Sequence, residues 1–388
     1  MQNTKNSKTN KPSPLPPLPP PLRQQVFPAA LTPSSLLIPN SYLLINQMNI
    51  SNNQQSIRDC KYLAYAEVEV LHLKDLGRFS VARNHACASR RFALYLSELG
   101  KKDISFKKIT PHLMADFESW LKTQGVCRNT SSCYLRSLSA VWNKAVLDGL
   151  AVGNPFTGTY RGVARTCKRA MPPDRICRLR NLDIEAVLTD NGQIPVGKKL
   201  RQHIDRLQFS RDLFLFSFCV RGITFIDMAF LRKSDLRGGV IRYVRRKTGQ
   251  RIEVFVEPFV SDILNRHTTD TSYLLPILTE QRDPQKMYRQ YQNALRLYNK
   301  SLKELGGMLG GLHLSSYVSR HSWATMARQH DLSVSIISQA LGHDSIRTTE
   351  IYLMSLEGNV IDRANHALLE SVFKERKRHP YSSPRQIK

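Results

Sequence analysis

The sequence has no long apolar run. The longest approach to one, Leu213 to Val220, is far shorter than the stretch of about 18 apolar residues that is typical of a membrane-spanning helix. A proline run at Pro16 to Pro21 interrupts the region where a signal peptide would need an apolar core. These absences predict a soluble protein of the cytoplasm and argue against secretion.

Cysteine is scarce and shows no pairing pattern. The seven cysteines among 388 residues are scattered from Cys60 to Cys219, in an odd number and without the spacing of zinc ligands. The sequence therefore excludes a small disulfide-stapled fold and gives no sign of a zinc module. We expect a reducing compartment, no bound metal and no cofactor.

Acidic residues are also few. Lys plus Arg number 57 against 31 Asp plus Glu, which gives a net charge of +26, while 41% of the residues are apolar. A chain with that apolar content can fold, so its basicity favours a polyanionic partner. The first 56 residues contain no acidic residue and are rich in Pro, Ser, Asn and Gln, a composition that predicts a disordered tail over residues 1–56.

Helical periodicity begins at about residue 61 and continues to about residue 155. A third helix in this region is expected to start at the capping residues Asn129 and Thr130 and to stop at Gly149. We therefore predict a helical domain over residues 61–160. The apolar residues that recur with helical spacing in its first two helices are Phe92, Tyr95, Leu96, Leu99, Leu113, Phe117, Trp120 and Leu121.

A strongly basic segment follows over residues 161–180. It contains seven basic residues against Asp174 alone, and Pro172-Pro173 prevents one continuous helix. We interpret it as an interdomain linker, which its charge would extend and which a phosphate backbone would neutralise. The basic residues are Arg161, Arg165, Lys168, Arg169, Arg175, Arg178 and Arg180.

A second, larger domain is expected over residues 181–370, followed by a basic tail over 371–388. Helical sequence in this domain ends with the apolar run that directly precedes Arg221. Two strands, at 240–244 and 252–256, flank a turn at Thr248-Gly249 and predict a β-hairpin. The hairpin is expected to present Arg245, Arg246 and Lys247 at its tip.

Three short helices are predicted near the end of this domain, at 317–329, 334–341 and 346–353. Ser333 supplies an N-cap for the second of them, and Gly342 supplies its C-terminal stop. His343 is therefore expected to lie on a tight bend.

Five residues of this domain have the chemistry that a phosphodiester requires: Arg221, Lys247, Arg320, His343 and Tyr352. Two arginines bind non-bridging phosphate oxygens and offset the charge that grows in the transition state. A lysine on a hairpin tip can protonate a leaving oxygen, and a tyrosine can supply a nucleophilic phenolate.

Each of these residues also has a structural interpretation when it is taken alone. The arginines can serve ion pairs, with Asp227 as a ready partner for Arg221, and Lys247 can be a solvated turn residue. His343 can cap helix carbonyls, and Tyr352 can be ordinary core packing. Their order and spacing along the chain favour the functional interpretation.

These residues lie in motifs that resemble the tyrosine recombinases, the phage-integrase family. The C-terminal motifs are Tyr317-Val-Ser-Arg320-His-Ser-Trp-Ala-Thr325, Leu341-Gly-His343-Asp-Ser345 and Thr348-Thr-Glu-Ile-Tyr352. The earlier motifs are Arg221-Gly-Ile-Thr-Phe-Ile-Asp227 and Arg246-Lys247-Thr-Gly-Gln250, as in integrases of mobile elements. The resemblance covers about residues 61–365 and includes a family-like step of nine residues from His343 to Tyr352.

The resemblance implies a mainly α fold with a small β-sheet. A helical, SAM-like core-binding domain and an α+β catalytic domain would form a C-shaped clamp around double-stranded DNA. The protein would be a monomer in solution and a homo-tetramer in the synaptic complex. Accessory DNA-bending proteins would be further partners, and the protein would associate with the nucleoid.

The resemblance also implies a reaction. Tyr352 would attack the scissile phosphate and form a 3′-phosphotyrosyl bond, while Lys247 protonates the departing 5′-oxygen. Arg221, Arg320 and His343 would bind the phosphate, and the free 5′-hydroxyl of a partner duplex would reverse the step. Bond energy is retained, so the reaction would need neither ATP nor a metal.

Two positions depart from the family pattern. Tyr317 occupies the position where many members have a histidine that acts as general base, and a phenol is a poorer base than an imidazole. We expect Tyr317 to hydrogen-bond the phosphate or to orient Tyr352, and His321 to be a packed structural residue. The acidic residue usually found three positions after the first arginine stands six positions after it, as Asp227.

The sequence predicts a site-specific DNA strand transferase of the tyrosine recombinase type, acting as an integrase or excisionase-partnered recombinase of a mobile element, or as an inversion enzyme. A type IB topoisomerase would use similar residues to nick and reseal one duplex. A DNA-binding or architectural protein with vestigial catalytic residues is the alternative from another class. A nonspecific RNA-binding protein is disfavoured, because no aromatic stacking motif of the RNA-recognition type occurs.

Overall fold

The computed structural model describes residues 60–164 and 169–353, with helical backbone alone at residues 351 and 352. The predicted tails over 1–56 and 371–388, and the linker cations Arg165 and Lys168, lie outside the described residues. None of the helices in the described ranges is both long enough and apolar enough to cross a membrane. Within the same ranges, no group of His, Cys, Asp and Glu side chains is arranged to hold a metal ion.

The N-terminal domain consists of helices packed around an aromatic core. Phe92, Phe117 and Trp142 are almost completely buried, and the Tyr62 hydroxyl donates to the Leu138 carbonyl at 2.8 Å. Edge-to-face ring contacts such as that of Tyr62 with Phe92, with centroids 5.7 Å apart, add to the burial of apolar surface. The helices are α1 (Tyr62–Asp75), α2 (Phe79–Glu98), α3 (Pro111–Thr123) and α4 (Arg128–Leu147), with a 3₁₀ turn at Phe106–Lys108.

The start of α4 differs from the prediction. The helix begins at Arg128 after Cys127 at the N-cap, not at the expected capping residues Asn129 and Thr130. The Asn129 amide is used elsewhere: its Oδ1 accepts from the backbone N–H of Ala164 at 2.7 Å, and its Nδ2 donates to the Ala164 carbonyl at 3.0 Å. Asn129 therefore fixes the first part of the basic segment to the helical domain.

The second domain surrounds a long central helix, α7, whose apolar end is buried on all sides. Phe214 and Phe216 of this helix have no exposed surface, and α7 packs against helices that precede and follow it in the chain. The helices are α5 (Pro173–Arg180), α6 (Ile184–Leu188), α7 (Lys198–Cys219), α8 (Phe225–Ala229), α9 (Pro258–Arg266), α10 (Pro284–Met308), α11 (Val318–Gln329), α12 (Val334–Leu341) and α13 (Ile346–Leu353), with a 3₁₀ turn at Lys233–Asp235.

A small antiparallel sheet lies between α8 and α9. Its strands are β1 (Leu236–Arg237), β2 (Val240–Val244) and β3 (Arg251–Phe255), in the order β1-β2-β3, with Val240 opposite Phe255 and Val244 opposite Arg251. Ile252 and Val254 alternate with exposed residues, so one face of the hairpin packs on the core. The β2 and β3 strands confirm the predicted hairpin, whereas the two-residue β1 has too little sequence to form a pattern.

The basic segment over 161–180 is not uniformly extended. Helix α5 begins at Pro173, because proline is tolerated in the first turn of a helix. Ile176 and Leu179 are buried in the core of the second domain, and the backbone N–H of Met171 donates to the Ser322 hydroxyl at 2.8 Å. The second half of the segment therefore belongs structurally to the second domain.

The two domains also touch away from this segment. Phe79, at the start of α2, stacks on Tyr288 of α10 with ring centroids 5.3 Å apart. Arg83 donates from Nη1 to Oε1 of Gln292 at 2.5 Å. The first turns of α2 thus lie against the first half of α10.

Candidate active site

Arg320 lies on α11 and is only 3% exposed. Its Nη1 donates to the Gly222 carbonyl at 2.8 Å, and its Nη2 donates to the Leu341 carbonyl at 2.6 Å. A guanidinium group has only donors, and a buried charge is tolerated when its donors are satisfied. Arg320 is therefore fixed in place by the backbone of two segments that are far apart in the sequence.

Arg221 lies where α7 ends, next to Arg320. It adopts a left-handed backbone conformation with φ 52°, and the Gly222 N–H donates back to the Ser217 carbonyl at 2.8 Å, which closes the helix end. A Cβ atom at Gly222 would lie 2.8 Å from the Cα of Arg320, so only glycine permits this approach. Arg221 is half-buried, and within the described ranges its guanidinium makes no hydrogen bond or ion pair.

His343 follows the left-handed Gly342 that ends α12, as predicted, and its ring contacts Arg320. The Nε2 atom lies 3.2 Å from Nη2 of Arg320, and Nδ1 lies 2.8 Å from the hydroxyl of Thr349. Because arginine can only donate, Nε2 of the neutral ring accepts and Nδ1–H donates to Thr349. Burial lowers the pKa of His343 to about 4, with further contributions from the charges of Arg320, Arg245 and Lys247.

Lys247 is exposed in the turn between β2 and β3, and this turn lies beside the bend at His343. The Thr248 hydroxyl donates to the Gly342 carbonyl at 3.0 Å, and Nε2 of Gln250 lies 3.4 Å from Oδ1 of Asp344. The Lys247 charge is close enough to His343 to help lower the pKa of its imidazole. The structure thus brings the hairpin and the His343 bend together.

Tyr352 lies on α13, whose bounds agree with the predicted helix at 346–353. Its side chain lies outside the described residues. Thr349, three positions earlier on the same helix, is completely buried and bonds His343. Three residues correspond to an axial rise of about 4.5 Å, so the backbone of Tyr352 lies one turn beyond the residue that contacts the histidine.

Tyr317 lies at the N-cap of α11 and is 52% exposed. Its ring lies against His321, with centroids 6.1 Å apart. Tyr317 thus lies one helical turn before Arg320 at the protein surface, and its role in the site stays a prediction.

One sequence-based expectation about this region is wrong, and the ion pair considered as a structural alternative for Arg221 is not formed. Asp227 does not pair with Arg221: its Oδ1 accepts from the backbone N–H of Arg246 at 2.9 Å, and its Oδ2 accepts from the Thr224 hydroxyl at 2.6 Å. Arg245 is not at the hairpin tip but is 5% exposed, and its Nη1 donates to the Gly342 carbonyl. The Asp227 carboxylate therefore bonds the hairpin and the N-cap residue of α8. It makes no hydrogen bond or ion pair with Arg221.

Three further residues belong to the site although the predicted site did not include them: Arg245, Thr349 and Gly222. A signal for Arg245 was available, because strand alternation places it on the face of Ile241 and Tyr243. Burial raises the pKa of the Tyr243 phenol, and the charges of Arg320, Arg245 and Arg221 oppose that rise, so this phenol lies among the three arginines.

Comparison with known proteins places both domains in one family. The phage integrase SAM-like domain matches residues 61–162, and the phage integrase family pattern matches residues 220–358. The tyrosine recombinase XerA of Pyrococcus furiosus is 28% identical over 205 residues, which cover 50% of this chain and 68% of that recombinase. The chain belongs to the phage integrase family, whose members are the tyrosine recombinases.

Solved structures agree with this fold. A lambda integrase dimer bound to a core site superposes with a TM-score of 0.50 at 13% identity, over 74% of this chain and 96% of that one. The XerH recombinase bound to a palindromic difH substrate superposes with a TM-score of 0.51 at 16% identity, over 87% and 91% of the two chains. The predicted fold class, mainly helical with a small sheet and two domains, is confirmed.

Proposed function

We propose that this protein is a site-specific DNA recombinase that cleaves and rejoins DNA through a 3′-phosphotyrosyl intermediate. The observation that carries the proposal is the buried Arg320, whose guanidinium bonds the backbone beside Arg221 and contacts His343. Cations fixed in this way before the substrate arrives stabilise a developing charge without reorganisation at the moment of reaction.

In the proposed reaction Tyr352 loses its phenolic proton to solvent and attacks the scissile phosphorus as the phenolate. The new bond joins the phenolic oxygen to phosphorus, and the bond from phosphorus to the 5′-oxygen breaks while Lys247 gives that oxygen a proton. Attack by the 5′-hydroxyl of a partner duplex reverses these changes and releases the tyrosine. One phosphodiester is exchanged for another, so no ATP is consumed.

His343 constrains this reaction through its protonation state. With a pKa of about 4, the ring is neutral at neutral pH, and in the free protein its Nε2 accepts from Arg320. Donation to a phosphate oxygen, the role expected from the sequence, then requires the other tautomer. Phosphate binding by the Arg320 guanidinium would release Nε2 and permit that change.

The proposed partner is double-stranded DNA, bound by the two domains together. The net charge of +26 supports a polyanionic partner, and affinity should fall steeply with salt, with a slope of log affinity against log salt of about −0.9 for each phosphate contacted. We propose a monomer in solution, a homo-tetramer in the synaptic complex, and assistance from accessory DNA-bending proteins. Such an enzyme would act on DNA of the nucleoid, in the cytoplasm.

A nicked suicide duplex that bears a candidate attachment site tests the proposal. The short product diffuses away after cleavage, so the protein should accumulate as a covalent adduct that survives denaturing electrophoresis and maps to the Tyr352 peptide. Tyr352→Phe should abolish the adduct while retaining DNA affinity. Affinity without any adduct in the wild type would instead indicate an architectural DNA-binding protein.

The type IB topoisomerase alternative makes a separate prediction. Such an enzyme would relax a supercoiled plasmid and give no recombinant product from two attachment sites. A recombinant product that needs both sites would support recombination, and the arrangement of the sites that react would distinguish integration, excision and inversion.

A further inference from the structure

Arg245 is a buried cation that the proposed reaction does not use. It is 5% exposed, whereas its neighbours Arg246 and Lys247 are exposed. Burying a guanidinium group is unfavourable unless its donors find acceptors. The hydrogen-bond partners of Arg245 therefore indicate its structural role.

These contacts join the hairpin to the bend that carries His343. Nη1 of Arg245 donates to the Gly342 carbonyl, to which the Thr248 hydroxyl also donates at 3.0 Å. Gly342 is left-handed at φ 63°, and a Cβ atom there would lie 3.1 Å from Cδ of Arg245. The residue immediately before His343 is thus bound by two hairpin residues on either side of Lys247.

The same bend is also fixed by Arg320, which lies on α11. Its Nη2 donates to the Leu341 carbonyl at 2.6 Å, so consecutive carbonyls at 341 and 342 each accept from a different buried arginine. Arg320 belongs to the proposed phosphate-binding group, whereas Arg245 directly follows strand β2, two residues before Lys247. The His343 bend is the point at which the two meet.

Asp227, at the start of the short helix α8, also contacts the hairpin. Its Oδ1 accepts from the backbone N–H of Arg246 at 2.9 Å, and its Oδ2 lies 4.0 Å from Nε of Arg245. One buried carboxylate therefore faces Arg245 and also bonds the backbone N–H of Arg246, the residue directly before Lys247. Asp227 thus holds the hairpin, and Arg245 connects the hairpin to the His343 bend.

We propose that Arg245 is a positioning residue that couples the placement of Lys247 to that of His343. The inference rests on the proposed function for the roles of Lys247 and His343, but the coupling itself is a property of the free protein. Arg245 does not reach the substrate. Its removal should release the hairpin and the bend together and should impair the proton transfer that depends on Lys247.

Hydrogen exchange measured by mass spectrometry tests the coupling without DNA. Arg245→Met should raise exchange in both segments, 245–250 and 341–345, and leave α4 unchanged. The matched control is Arg246→Met, because that side chain lies over the Phe230 ring, 4.1 Å from its centroid, and does not contact the bend. Increased exchange in the hairpin alone, or an Arg245→Met pattern equal to that of Arg246→Met, would overturn the proposal.

Single-turnover cleavage tests the consequence for proton transfer. A suicide duplex with sulfur in place of the bridging 5′-oxygen releases a thiolate, which needs no acid because thiols are far more acidic than alcohols. Arg245→Met should slow cleavage of the oxygen substrate at least ten-fold and the sulfur substrate much less, as Lys247→Ala should. Equal slowing of both substrates would refute a role in positioning Lys247.

A gentler variant covers the case in which Arg245→Met does not fold. Thr248→Val removes the second donor to the Gly342 carbonyl with little change of shape, and it should raise the ratio of sulfur to oxygen cleavage about two- to ten-fold. An unchanged ratio would count against the coupling. Absence of an adduct in the wild type on both substrates would refute the proposed function instead, and the exchange experiment would then decide the coupling alone.

Discussion

The candidate site has a fixed half and an open half. Arg320 and His343 make hydrogen bonds to each other, to backbone carbonyls and to Thr349, so their positions are determined before any substrate binds. Lys247 is exposed, and the half-buried Arg221 guanidinium has no bonding partner in the described ranges. The fixed half supplies preorganised charge, whereas ordering the open half draws on the energy of substrate binding.

The largest effect that separates the halves is expected from replacing the two arginines. Arg320→Lys should reduce cleavage roughly 10³-fold and should also lower the free energy of unfolding by about 1–3 kcal/mol, because buried carbonyls lose their donors. Arg221→Lys should reduce the cleavage rate but change the free energy of unfolding by less than about 0.5 kcal/mol. Suicide-substrate kinetics and urea denaturation measure both quantities. Equal stability losses would contradict the division into halves.

Lys247→Ala tests the open half alone. Loss of a general acid should slow cleavage of the ordinary substrate about 10²-fold, while the free energy of unfolding stays within about 0.5 kcal/mol of the wild type. The exposed neighbour Arg246→Ala serves as the control for loss of one positive charge on the hairpin. A marked loss of stability in Lys247→Ala would mean that this lysine belongs to the fixed half.

Gly222→Ala tests the close approach on which the fixed half depends. The added Cβ would meet Arg320 and the φ of +69° would be strained, whereas Gly238, with φ +57°, has open space around it. Gly222→Ala should therefore lower the free energy of unfolding by about 1–3 kcal/mol more than Gly238→Ala, because Gly238→Ala introduces backbone strain alone. Similar urea midpoints for the two variants would show that the turn adjusts without displacing Arg320.

The smallest predicted effect concerns pH. The pKa of His343 is lowered from 6.5 to about 4 in the folded protein, so the unfolded chain binds a proton that the folded one does not. Stability should decline as the pH falls from about 6.5 towards about 4. His343→Gln should make that decline shallower when urea unfolding is measured at pH 7 and pH 5. Parallel pH dependence in the two proteins would argue that the ring is not buried against Arg320.

Local patterns predicted much of this architecture. The helices at 334–341 and 346–353 and the β2–β3 hairpin follow from periodicity and from capping by Ser333 and Gly342, which are properties of neighbouring residues. The burial of Arg245 against Gly342 and the bond from Arg246 N–H to Asp227 join segments that are about 20 to 100 residues apart in the sequence. No local signal specifies which carbonyl or amide such a side chain will meet.

The left-handed conformation of Arg221 has an evolutionary consequence. Among the described residues outside glycine, the others with positive φ are aspartates or an asparagine, which tolerate that geometry far better than arginine does. A strained residue at a functional position trades folding stability for activity. Copies of the gene that no longer need to act on DNA should drift towards glycine or asparagine at position 221, gaining stability as they lose function.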